Sequence, residues 1–139
     1  MKRIKYTMAR WAYPPFRAHN TDAGLDLRAA SSDIIPPHGS KEFDTGISIQ
    51  IPKNHAGIII SKSGLNFKYG INATGLIDSG YTGTIKVKLY NHSDEKVVIN
   101  RGDKITQLVI VPIITYKLKL VDKLAKTLRG EKGFGSSGR

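Results

Sequence analysis

The chain has no cysteine. That excludes disulfides, thiolate metal sites and a cysteine nucleophile, and it fits a cytoplasmic setting. No run of about 18 apolar residues occurs, so no membrane-spanning helix is expected. The basic start, Met1-Lys-Arg-Ile-Lys-Tyr6, is not followed by an apolar stretch, so no signal peptide is expected. Acid is scarce at that end: the first 20 residues carry Lys2, Arg3, Lys5, Arg10 and Arg17 and no carboxylate. Over all 139 residues the net charge is +11. Such an excess serves either as a footprint for nucleic acid or another polyanion, or as a soluble surface with a few cations for a small phosphate ligand. The cations are not gathered on a helix, and aromatic residues are not interleaved with them as stacking platforms, which favours the second reading. Several catalytic signatures are missing. No G-x-x-x-x-G-K-[ST] loop is present, which excludes a P-loop NTPase. His19, His38, His55 and His92 stand singly, without metal-ligand spacing. No G-x-S-x-G elbow marks a Ser-His-Asp triad, which need not be local.

Helical pattern is scarce as well. Ser63 to Lys68 predicts one or two turns ending before Gly70, and Leu118 to Leu128 is a weaker helix candidate that begins with strand-like alternation. What remains is β pattern. Ile47–Ile51 alternates, Ala56–Ile60 is a short buried run, and Thr84–Tyr90 puts Ile85, Val87 and Leu89 on one face with Lys86 and Lys88 on the other. Val97–Ile99, Leu108–Val111 and Tyr116–Leu120 follow, separated by Pro, Gly and Asn turn clusters. A chain of this length makes one domain, which buries roughly 68% of its unfolded surface. Short strands at this spacing predict an all-β sandwich, barrel or jelly roll. The segment 129–139 is rich in Gly and Ser and reads as a mobile tail on a domain spanning 1–128.

Five stretches carry polar chemistry. In Asn72-Ala-Thr-Gly-Leu-Ile-Asp78-Ser-Gly-Tyr81-Thr-Gly83, an amide, a lone acid and an aromatic ring stand at the start of a strand, spaced by glycines that shape a backbone pocket. In Ala23-Gly-Leu-Asp26-Leu27 an acid lies between two leucines. A partly buried acid needs a cation, a metal or hydrogen-bond donors, and an ion pair and a metal role stand level here. Ser61-Lys62-Ser63-Gly64 is either a small anion site or an ordinary helix cap. In Arg101-Gly-Asp-Lys-Ile-Thr-Gln107, Gln107 is an amide about to join an apolar strand and wants a partner. Gly133-Phe134-Gly135-Ser136-Ser137-Gly138 matches G-x-G-x-x-G literally, but only Arg139 follows, so no helix and no βαβ unit surround it. Its glycine backbone and hydroxyls can still wrap phosphate oxygens, with Arg129 as a bidentate grip and Phe134 as a flat face for a base.

In this order and at this spacing, the five stretches resemble the five motifs of the trimeric deoxyuridine triphosphatases (dUTPases), from about Asp22 to Gly138. The resemblance implies a jelly-roll-like, distorted β-barrel and a homotrimer with sites shared between subunits. It also implies hydrolysis of dUTP to dUMP and pyrophosphate with Mg²⁺ on the triphosphate. By position, Asp78 corresponds to the acid that activates water and Tyr81 to the ring on the deoxyribose. Asn72, Gly75 and Leu76 correspond to the uracil-reading hairpin, and Phe134 to the ring that covers the base. Lys62, Ser63, Gly64, Gln107, Arg129, Gly135, Ser136 and Ser137 correspond to phosphate contacts. Asp26 corresponds to the acid that holds Mg²⁺ through water. The chain departs from the family pattern at Lys62 and Lys104, where arginine is usual, at Thr106 in place of alanine, and at Lys132 in place of a common glycine. Two rival readings are a deoxycytidine triphosphate deaminase of the same fold and a basic β domain that binds nucleic acid or a protein partner. Deamination needs a second acid or base beside the pyrimidine, and no glutamate lies between Asn72 and Tyr90.

Overall fold

The computed structural model describes residues 3–138. Met1, Lys2 and Arg139 lie outside the described residues, and with them one of the early basic side chains and the last residue of the expected tail. The chain runs β1 (Tyr6–Met8), β2 (Leu25–Arg28), β3 (Asp33–Ile35), β4 (Ser40–Asp44), β5 (Ile47–Ile49), β6 (His55–Ser61), α1 (Ser63–Tyr69), β7 (Ile71–Asn72), β8 (Thr74–Asp78), β9 (Lys86–Asn91), β10 (Val97–Ile99) and β11 (Lys104–Pro112). All strand pairs are antiparallel, in sheets ordered β1-β5, β10-β3, β2-β11-β6-β8 and β4-β9-β7. Each sheet turns apolar side chains into one core, among them Leu27, Ile35, Phe43, Ile47, Leu89 and Leu108. The all-β, jelly-roll-like expectation therefore holds, although no hydrogen-bonded ladder among the described strands closes into a barrel.

The β9 pattern is realised as read: Val87 and Leu89 are buried, and Lys86 and Lys88 are exposed. The helix expected from Ser63 to Lys68 forms over Ser63–Tyr69, and Gly70 ends it at φ 66°, donating its N–H to the Asn66 and Leu65 carbonyls. That left-handed geometry is open to glycine at little cost.

Two expectations fail beyond β11. Tyr116–Leu120 forms no strand and Leu118–Leu128 no helix. Alternation along 116–120 creates an apolar face, but no strand among the described residues pairs with it, and Leu118 stays 98% exposed. An isolated strand or short helix without a packing partner is not stable.

Candidate active site

The acid of the first motif lies inside the protein. Asp26 is 7% exposed, and both of its carboxylate oxygens are held. Lys62 Nζ donates to Oδ1 at 2.7 Å, and Lys104 Nζ approaches Oδ2 at 3.1 Å. Burial alone would raise the pKa of this acid. Hydrogen bonds and charge from Lys62 and Lys104 outweigh that effect and hold it below its ordinary value. The ion pair open to Asp26 in the sequence is formed, with two lysines rather than one.

A β-bulge explains how both lysines and Gln107 reach this point. Lys104 and Gln107 are three residues apart, so an unbroken strand would put them on opposite faces. β11 shifts register between Lys104 and Thr106, and Ile105 and Thr106 are both buried. The extra residue reverses the alternation, leaving Lys104 bonded to Asp26 while Gln107 sits directly opposite it. The Lys104 ammonium also lies 4.4 Å from the Phe16 ring centroid. Gln107 Oε1 packs so closely on Gly24 that a Cβ there would stand 2.5 Å away. Asp26, Lys62, Gln107, Gly24 and Asp22 line a polar cavity of about 320 Å³.

The helix-cap reading of the neighbouring serines is corrected. Lys62, not a serine, occupies the cap position, in extended geometry and without a side-chain cap bond. Ser61 is used elsewhere: its hydroxyl donates to the Ala73 carbonyl at 3.2 Å and accepts from the Ala73 N–H at 2.9 Å. That tie fixes the backbone next to Asn72.

The second half of the site is the end of β8 and the turn that leads from it toward β9. β8 is the edge of its sheet and, among the described strands, pairs with β6 alone, so one side of its backbone is left open. Asp78 is the last residue of β8 and is exposed. A tight turn, with the Tyr81 N–H donating to the Asp78 carbonyl at 3.0 Å, brings the tyrosine back beside the acid. Leu76, Asp78, Tyr81, Thr84 and Lys86 line a cavity of about 250 Å³.

The expected site is thus split in two within one chain. Asp26, Gln107, Ile60 and Thr74 face one another across β2, β11, β6 and β8, and Asp78 lies four residues beyond Thr74. Strand spacing and rise place the Asp26 and Asp78 backbones about 14 Å apart across the sheet and about 13 Å apart along it. The tail joins neither half. Phe134 is 111% exposed, and the hydrogen bonds of Arg129 and Ser136 are local, to Lys132 and Gly133.

The described chain is thus an all-β protein with an acid on an open sheet edge and, apart from it, a lysine-flanked polar cavity. The dUTPase family model matches residues 11–138. A deoxyuridine 5'-triphosphate nucleotidohydrolase of Clostridium novyi is 44% identical over 127 residues, 89% of each chain. That of Gloeothece citriformis is 41% identical over 140 residues, 98% of this chain and 97% of its own. Among solved structures, the dUTPase of Staphylococcus bacteriophage 80alpha with dUpNHpp superposes with a TM-score of 0.93 at 31% identity, covering both chains fully. A dUTPase of phage phi11 of S. aureus, described with a structural Mg(II) ion, has a TM-score of 0.82 at 29% identity, over 88% of this chain and 98% of its own. The chain belongs to the dUTPase family.

Proposed function

We propose that the protein is a dUTP diphosphatase, hydrolysing dUTP to dUMP and pyrophosphate and so limiting uracil in DNA while supplying dUMP. The observation that carries this reading is the cavity between the end of β8 and the start of β9, where an exposed carboxylate, Asp78, stands beside an aromatic wall, Tyr81. The open edge of β8, from Thr74 through Gly75 and Leu76, offers backbone donors and acceptors to a uracil ring, with Asn72 at its start. Tyr81 packs on the deoxyribose and leaves no room for a 2′-hydroxyl. Asp78 accepts a proton from water as the water oxygen bonds to the α-phosphorus. The bond from that phosphorus to the bridging oxygen breaks, and pyrophosphate leaves. Most of the rate comes from positioning and charge stabilisation.

The triphosphate lies against the other half of the site, with Lys62, Ser63, Gly64 and Gln107. Asp26 is the one acid there clasped by two cations. Among the described residues no three His, Cys, Asp or Glu side chains gather to cage a metal. Asp26 and Asp22, two hard oxygen donors in one cavity lining, fit Mg²⁺, which keeps most of its waters and is otherwise held by substrate phosphates. Bound there, Mg²⁺ would supply charge neutralisation to the triphosphate. Lys62 and Lys104 hold Asp26 in place, and Gln107 donates its amide to phosphate oxygens.

A single chain separates the two halves by more than one nucleotide's reacting centre can bridge, which supports a homotrimer with sites shared between subunits. The uncovered apolar face of 116–120 supports it too, because a neighbouring copy would bury it. Residues 129–139 close over the bound nucleotide, with Phe134 on the base and Arg129, Gly135, Ser136 and Ser137 on the distal phosphates. The absence of cysteine supports a cytoplasmic location.

Incubation with dUTP, dCTP, dTTP and UTP plus Mg²⁺, read for pyrophosphate and ammonia, tests the proposal. Pyrophosphate from dUTP alone is expected. Ammonia from dCTP, or no product from dUTP, would overturn it.

A further inference from the structure

The wall that would check the sugar is braced by residues outside all five motifs. The Tyr81 hydroxyl donates to the Thr84 carbonyl at 2.8 Å. The ring lies so close over Gly83 that a Cβ there would stand 2.5 Å from the hydroxyl oxygen and 2.7 Å from its ring carbon. The Thr84 hydroxyl in turn donates to Asp44 Oδ2 at 3.0 Å, while Asp44 Oδ1 accepts the Gly46 N–H at 2.7 Å. The following residue is fastened to the same corner. Thr45 donates its hydroxyl, at 2.8 Å, and its N–H, at 3.1 Å, to the Ile85 carbonyl, and the Ile85 N–H donates to the Ile47 carbonyl at 2.7 Å. The chain just before β9 is therefore clasped to the β4–β5 corner, and the tyrosine ring is tethered to that clasp.

We propose that Asp44 and Thr84 are positioning residues for the Tyr81 ring, and that through it they set the preference of this site for deoxyribonucleoside over ribonucleoside triphosphates. The inference rests on the reading of Tyr81 as the sugar-facing wall. Its physical basis is that steric refusal of a hydroxyl requires a wall that cannot move aside. Tyr81 is 46% exposed, so packing alone does not hold it. Two tethers do: its N–H on the Asp78 carbonyl and its hydroxyl on Thr84. Stiffening the acceptor end removes the cheapest motion that would admit a 2′-hydroxyl.

The test is the ratio of kcat/KM for dUTP to that for UTP in the full-length protein. Thr84→Val deletes the hydroxyl while keeping the shape. Asp44→Asn leaves an acceptor for the Gly46 N–H and turns an amide NH₂ toward Thr84. Both are expected to lower the ratio about fivefold, the factor that about one net hydrogen bond is worth, mainly through a lower KM for UTP. Thr84→Ser, which retains the hydroxyl, is expected to keep the wild-type ratio. Because the ratio compares two substrates on one preparation, partial misfolding lowers both rates and leaves it unchanged. Should Tyr81→Ala abolish discrimination while Thr84→Val and Asp44→Asn both keep the wild-type ratio, the bracing role is overturned and the sugar-wall reading stands. Should Tyr81→Ala itself leave the ratio unchanged, the sugar-wall reading falls and the bracing role with it.

Discussion

Lys62 Nζ lies 2.7 Å from Oδ1 of Asp26, with a second lysine, Lys104, on the other carboxylate oxygen. The lysine expected to meet phosphate is thus also the counterion of the acid expected to face the metal. The ammonium has three donors and a flexible stem, so it can serve both groups, but it lacks the planar fork with which arginine grips two oxygens at once. Lys62→Ala is expected to lower kcat/KM for dUTP about tenfold or more, the scale of one charge-assisted hydrogen bond. Lys62→Arg should restore most of the loss. Steady-state kinetics at saturating Mg²⁺ would show this, and an alanine variant with wild-type kcat/KM would remove Lys62 from the phosphate site.

The same clasp makes the fold acid-sensitive. The folded-state pKa of Asp26 lies below its ordinary value of 3.8. Its contribution to stability is therefore fully present above that value and is lost as pH falls through the lower, folded-state value. Asp26→Asn leaves two part-exposed lysines facing a neutral amide, and the expected cost near neutral pH is about 2 kcal/mol, the scale of a hydrogen bond to a charged group. Urea unfolding of the metal-free protein from neutral pH down to pH 2 should show wild type and variant converging at the acid end. A constant difference across that range would mean that the carboxylate's charge is not what stabilises the fold.

Where a strand both alternates and finds its partner inside the chain, the sequence was sufficient. β9 is the clear case, since the face carrying Ile85, Val87 and Leu89 is the buried one. Tyr116–Leu120 alternates just as plainly and forms nothing, because a periodic face says that cover is needed and not where cover comes from. The strands β1 to β4 span three to five residues, too short for a period to show. Of the residues singled out in the sequence, Asp26, Lys62 and Gln107 gather in one cavity and Asp78 and Tyr81 in another. The sequence did not show that Lys104 joins Asp26, because the bulge at Ile105 reverses the alternation on which face assignments depend. Nor did it give the clasp from Asp44 to Thr84, which links positions 40 residues apart. A lone Asp before Thr-Gly and a Thr after Gly carry no local mark of each other.

Asp78 stands exposed at the end of β8, and the described hydrogen bonds show its backbone carbonyl engaged by Tyr81. In the proposed reaction this carboxylate takes the proton of the attacking water. Asp78→Asn keeps the size and removes the basicity. It is expected to lower kcat by about 10²–10⁴-fold, the usual worth of a positioned general base. Affinity for a non-hydrolysable dUTP analogue, measured by calorimetry, should change far less. Turnover within a few fold of wild type would assign the proton transfer to another group.

The tail offers the sharpest separation of catalysis from assembly. The hydrogen bonds described for residues 129–138 all stay within residues 127–138, whereas the segment before them carries the uncovered side chains of Tyr116, Leu118 and Leu120. If the first is a lid and the second an arm buried by a neighbouring copy, the two truncations part company. Removing 129–139 deletes Arg129, Phe134, Ser136 and Ser137 but no apolar surface that a second copy would cover. The oligomer measured by light scattering should keep its mass while kcat/KM falls about a hundredfold, because an open site positions the triphosphate poorly and admits water. Removing 114–139 also takes away the arm, and the mass should drop toward that of a single chain. Full activity in the shorter truncation would end the lid assignment. An unchanged oligomer in the longer one would mean that the core alone assembles, and that the apolar face of 116–120 is covered by something other than a second copy.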